Sequence, residues 1–234
     1  MDMKYFSYGR TNFLASLYVD IAAKNFSQAE ALFYEFERYI DDPSSREDFD
    51  DKEIFERAVS TIVFSALTAE SFINDYACKI MGDDFFYGNF QSLSTISKLQ
   101  LCHKIVTGKS IDIGTSCCYT LLKQLTRWRN EFVHNKSTQC FGMSEEDLLE
   151  YKQAVAEGKV EEFSYTESLK SVAADLKDEL SHAYDSLRAI FELAKLIDSI
   201  DGRAYAEVHL FGNNTGFGFS EQVRNIHRRL TANQ

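Results

Sequence analysis

Proline is almost absent from this chain, with one residue in 234, and glycine is scarce at 11. So few breakers exclude a many-stranded sandwich with its frequent turns and leave long uninterrupted helices as the economical reading. Cysteine is present but without a pairing pattern. Cys78, Cys102, Cys117, Cys118 and Cys140 contain no CxxC, and the neighbours Cys117 and Cys118 have poor geometry for bridging each other. Reduced, mostly buried thiols are expected. Without paired Cys/His ligands or the two-His zincin spacing, no metal site and no cofactor are expected. The start, "MDMKYFSYGR", lacks a basic region followed by an apolar one, and no apolar run is long enough to cross a bilayer. The expectation is a cytoplasmic protein with no membrane partner. Positive charge is also in short supply: 25 Lys and Arg against 36 Asp and Glu give a formal net charge of −11. That balance opposes unspecific attraction to nucleic acid, so any contact with a polyanion must be local.

What the chain does have is apolar content, 44% hydrophobic with 14% aromatic, enough to bury a core. Apolar residues recur at helical spacing from Thr11 to Ile40, with a break anticipated near Asn25, and again from Ile54 to Met81 before Gly82. The second run should be the spine of the core. The stretch "GDDFFYGNFQSLS" reads as a loop, followed by a short helix over 94–106 and a fourth over 117–136. Segments 145–157 and 165–200 both read as helices with acidic outer faces. The fold class is therefore all-α, an antiparallel helical bundle over residues 1–201 with a long C-terminal helix. Residues 202–234, with "FGNNTGFGFS", are read as a tail, a small hairpin or a flexible appendage.

One decade stands out in this acidic chain: "RWRNEFVHNK", residues 127–136. On a helical wheel Leu121, Leu125, Trp128 and Phe132 share the face that must meet the bundle. Lys123, Arg127, Asn130 and His134 lie nearly opposite, with Arg129 on the flank beside Leu122 and Val133. Taken singly, His134 reads as a histidine easing the helix C-terminus, and Arg127 with Glu131 as a surface ion pair. Other suggestive stretches carry less. "TGKS" at 107–110 has His103 where a phosphate loop needs its first glycine, "NNTGFGFS" lacks a strand and helix around it, and "REDFDD" and "SEEDLLE" read as solvated helix starts. Cys102 and His103, as neighbours on a helix, do not face one another.

Arg129, Asn130 and His134 match the signature of the HEPN superfamily (higher eukaryotes and prokaryotes nucleotide-binding): an arginine, a polar residue, then a histidine after four intervening positions. "SALTAESFINDYACKI" at 65–80 resembles the family's preceding core helix, in which a Glu and an Asn would here be Glu70 and Asn74. The short "ISKLQLCHKI" between the two phrases is similar as well. The likeness covers about residues 10–200 as architecture and two short phrases as motif.

The resemblance implies a metal-independent endoribonuclease, in many relatives a toxin or antiphage effector, with its site where two copies of the motif meet in a homodimer. The implied partners are an RNA substrate and an antitoxin or regulatory protein. The residue types suit that chemistry. A neighbouring 2′-hydroxyl can attack the phosphate, His134 can move the proton, Arg129 can hold the growing charge, and Asn130 can orient His134 or hold a phosphate oxygen. Lys123, Arg127 and Lys136 would line the RNA. Glu70 reads either as a buried carboxylate, which would need a partner such as Arg129 or a backbone group, or as a partly exposed residue at the edge of the apolar stripe. Leu122 and Val133 would extend apolar surface towards the second copy. In one toxin subgroup a tyrosine stands where this chain has Lys136, so control through that tyrosine is not expected. The alternative reading is a non-catalytic HEPN-like dimeric module that binds a nucleotide, RNA or a partner protein. A plain helical scaffold would instead lock Arg129 in an ion pair.

Overall fold

Apolar residues at helical spacing bury one face of a 30-residue helix, α2 (Lys52–Met81), in which Ile54, Ile62, Phe72, Ile73 and Tyr76 are almost wholly enclosed. It stops at Gly82, whose φ of 83° and ψ of 146° lie where only glycine sits easily, and whose N–H donates to the Cys78 carbonyl at 2.8 Å. A Cβ placed on Gly82 would meet no atom within 4 Å, so the obstacle to a side chain is backbone conformation alone. Gly82→Ala is expected to cost about 1–3 kcal/mol in urea unfolding, with the fold retained.

The computed structural model describes residues 4–41, 51–133 and 165–202, together with Gln153, Leu210, Val223, Asn225, Ile226, Arg228 and Arg229. Besides α2 these form α1 (Lys4–Asp41), α3 (Asp83–Asn89), α4 (Thr95–Thr107), α5 (Cys117–Val133) and α6 (Tyr165–Asp201), with no strand among the described residues.

The cross-helix contacts fix how the helices run. Arg57 donates to Asn25 Oδ1 at 3.2 Å, Thr61 to the Ala22 carbonyl at 3.3 Å, and Phe64 meets Tyr18 at 5.9 Å between ring centroids. As the position on α2 rises that on α1 falls, so the two are antiparallel. Arg188 of α6 reaches Cys117 Sγ at 3.9 Å while His182 stacks on Trp128 at 4.5 Å, which makes α5 antiparallel to α6. Phe132 meets Phe55 edge-on at 6.0 Å, bringing the C-terminal end of α5 to the first turn of α2. The α1, α2, α5 and α6 helices thus form an antiparallel bundle, and α2 packs against every other helix, the spine its periodicity predicts. The α4 helix lies on α2, held by Lys98 donating to Asn74 Oδ1 at 2.9 Å. No helix among the described residues is long and apolar enough to cross a membrane.

Three local expectations need correction. The first helix has no break at Asn25, because both ends of that amide are satisfied within the packed structure: Nδ2 donates to the Ile21 carbonyl at 2.9 Å and Oδ1 accepts from Arg57. The stretch "GDDFFYGNFQSLS" is not all loop. Asp83 and Asp84 occupy the first turn of α3, where carboxylates complement the helix dipole, and Phe86 is fully buried and pins the turn to the core. At its described positions the tail is not a loose appendage, while the stretch "FGNNTGFGFS" lies outside the described residues. Leu210, Val223 and Ile226 have helical backbone and 0–2% exposure, since their apolar side chains find room against the bundle. The helix read over 145–157 lies outside the described residues apart from Gln153.

Candidate functional site

Helix α5 buries the face the wheel assigns to it. Leu121, Leu125 and Trp128 are 6%, 1% and 4% exposed, and Phe132 packs partly against Phe55. Leu122 is buried as well, at 2% exposure, so it belongs to the core of its own chain and not to a seam with a second copy. That corrects the expectation for Leu122, because the apolar arc of α5 is wide enough to touch more than one neighbouring helix. Val133 remains 48% exposed, and Phe55 beside Phe132 is 40% exposed.

Lys123, Arg127 and Asn130 are exposed, and Arg129 is half-buried on the flank. Arg127 lies 3.6 Å from Glu131, the surface pair predicted by their spacing. Arg129 differs: its Nη1 donates to Asn130 Oδ1 at 3.0 Å, and among the described residues it forms no ion pair. Among the described residues, then, a neutral amide orients the guanidinium without cancelling its charge. His134 and Lys136 lie outside the described residues.

Glu70 is exposed, which decides between its two readings: it stands in water at the edge of the stripe and is not a buried carboxylate held by Arg129. The buried arc of α2 centres on Ile62, Phe72, Ile73 and Tyr76, and Glu70 sits well round the helix from it, where water solvates the charge. Asn74 instead has a bracing contact. It accepts from Lys98, whose side chain is only 3% exposed and whose ammonium also lies 5.7 Å from the Phe86 ring centroid. This Lys98 brace carries no motif, although its place four residues before the buried Cys102 marks it as facing inward. His182 is another residue the sequence does not single out. It stacks on Trp128, with Nδ1 3.6 Å from Glu179, on the side of α5 that meets α6.

The described cysteines are free, and three are buried. Burial is the main cause in each case: it pushes the Cys78 thiol up to about 11 and those of Cys102 and Cys118 up to about 12, from an ordinary 9.0. Folding thus holds their protons, and the stability they contribute is complete below pH 9 and lost as pH rises from about 9 towards 12. Urea midpoints measured between pH 8 and pH 11 are expected to fall steeply above about 9.5, and Cys102→Ala should flatten the slope. Among the described residues no three His, Cys, Asp or Glu side chains come together in a way that could hold a metal ion.

No family model, curated protein or solved structure matches this chain. A reading of its function therefore rests on the Arg129–Asn130 pair and the surface around it.

Proposed function

We propose that this chain is a metal-independent endoribonuclease of the HEPN type, a toxin or antiphage effector working as a homodimer. The observation that supports it is the Arg129 guanidinium, half-buried and hydrogen-bonded to the Asn130 amide instead of a carboxylate, on the solvent-facing flank of α5. Such a group suits a phosphate: it is charged, oriented and paired with no carboxylate among the described residues. In this reading Arg129 clamps the scissile phosphate and balances the charge that grows as a 2′-hydroxyl attacks. His134 takes that proton and returns one to the departing 5′-oxygen, leaving a 2′,3′-cyclic phosphate. Asn130 sets the angle of the guanidinium. Lys123 and Arg127, exposed on the same helix, hold neighbouring phosphates, and Lys136 does so from beyond the described helix. Asn74 acts only through structure, by bracing α4 against α2.

A second reading, a dimeric module of the same type that binds a nucleotide, RNA or a partner protein without cleaving, is favoured by the solvent exposure of Glu70, which does not support Arg129 as a catalytic partner would. The two are separated by incubating the purified protein and His134→Ala with total RNA and tRNA in EDTA and examining the fragment ends. Cyclic phosphate ends from the wild type alone support the nuclease. RNA left intact by folded, dimeric protein supports the binding module, and a monomer by light scattering at micromolar concentration speaks against both.

A further inference from the structure

Beside Arg129 the bundle leaves aromatic surface in water. Phe55, in the first turn of α2, is 40% exposed, although its ring meets that of Phe132 edge-on at 6.0 Å. Val133, which follows Phe132 on α5, is 48% exposed. On the helical wheel Arg129 falls between Phe132 and Val133 and one turn before them, so the three are neighbours on one flank of α5. The contact with Phe132 therefore brings an α2 ring to the flank from which the arginine extends. The guanidinium donates to Asn130 Oδ1 at 3.0 Å and pairs with no carboxylate among the described residues.

A cation and an exposed ring side by side fit a ligand built of the same two parts. A nucleotide is one, a phosphate and a planar base joined by a sugar, and its base can stack on a protein ring only when it is unpaired. The competing occupant, a second copy of this chain, needs more apolar surface than is open here. A stable interface buries about 800 Å² on each partner. Phe55, Val133 and the partly buried Phe132 make a patch of three side chains. Ion pairs stand on both helices beyond it, Lys52 with Glu56 at 3.2 Å on α2 and Arg127 with Glu131 at 3.6 Å on α5. We propose that Phe55 is a stacking platform for an unpaired base next to the phosphate held by Arg129, which makes the substrate class single-stranded RNA. This role for Phe55 rests on Arg129 acting as the phosphate clamp of the proposed function. Because every base has a face to stack, Phe55 contributes affinity and placement and not a choice of sequence.

Fluorescence anisotropy on the full chain tests this with two labelled probes. One is a single-stranded 2′-O-methyl oligonucleotide of mixed sequence, which lacks the attacking hydroxyl and stays whole; the other is an abasic phosphodiester chain of equal length. Wild type should bind the oligonucleotide more tightly than the abasic chain. Phe55→Ala should weaken binding of the oligonucleotide by about 5–150-fold, the usual effect of losing one stacked base, and leave the abasic chain unaffected. Phe55→Tyr should keep the wild-type affinity, while Phe55→Leu, apolar but without a ring, should fall well short of it. Arg129→Ala should weaken both probes alike, since both carry phosphates. An unchanged preference for bases in Phe55→Ala, or full affinity in Phe55→Leu, would overturn the platform and leave the clamp in place. Conversion of dimer to monomer by Phe55→Ala, seen in light scattering, would make this surface a seam between copies and overturn the platform as well. Indifference of both probes to Arg129→Ala would remove the clamp, and the platform with it.

Discussion

Arg129→Ala is expected to lower metal-independent RNA cleavage by about 10²–10³-fold, the usual effect of removing one donor aimed at developing charge. The loss should fall on kcat, because the guanidinium meets more negative charge in the transition state than in bound RNA. Arg129→Lys restores the charge but not the planar fork, and Lys cannot accept the orientation that Asn130 Oδ1 imposes at 3.0 Å, so it should recover only a small part of the rate. Asn130→Ala should leave the charge and loosen its aim, giving an intermediate loss. Because Arg129 is half-buried and makes its described hydrogen bond to an adjacent surface residue, all three variants should keep the wild-type unfolding midpoint to within about 0.5 kcal/mol. Equal cleavage by wild type and Arg129→Ala would remove the phosphate clamp from consideration.

Trp128→Ala should produce the largest loss of stability, about 3–5 kcal/mol in urea unfolding followed by far-UV circular dichroism. The ring is 4% exposed and fills the junction between α5 and α6 against His182, so its removal leaves a cavity that two helices must share. Trp128→Phe should cost much less, under about 2 kcal/mol. The reason lies in the indole nitrogen: Nε1 is buried without a hydrogen-bond partner among the described residues, so a phenyl ring gives up volume but no hydrogen bond. If Phe proved as costly as Ala, the indole N–H would have to be satisfied by a water bridging to a buried acceptor. Trp128→Ala should also impair cleavage, by loosening the helix that carries Arg129, whereas Trp128→Phe should not.

The long helices α1, α2, α5 and α6 were legible because a period of 3.6 residues survives in the sequence even where the partner helix is unknown, whereas the seven residues of α3 are too few to show one. The face of α5 could be read for the same reason, down to Phe132 and the exposed Lys123, Arg127 and Asn130. What escaped depends on angles that periodicity does not set. Glu70 and Leu122 both sit at the margin of a stripe, and whether a margin is covered is decided by the neighbouring helices: α2 leaves Glu70 in water, and the bundle encloses Leu122. Polar braces escaped for another reason. Asn25 with Arg57 and Asn74 with Lys98 join residues 32 and 24 positions apart, and nothing local records such a pairing. The Arg129–Asn130 contact escaped as well, because neighbours on a helix do not face one another and only the length of the arginine brings its guanidinium to Oδ1.

The chain contains one tryptophan, and Trp128 is it. Its indole lies against an imidazole, tilted by 32°, across the α5–α6 junction and one residue from the arginine of the proposed site. Intrinsic emission from this protein is thus a single-site signal, free of the averaging that several indoles would bring. A shift in its wavelength or intensity on adding RNA or a second protein would report a change at the junction of α5 and α6, without any dye or label having been attached.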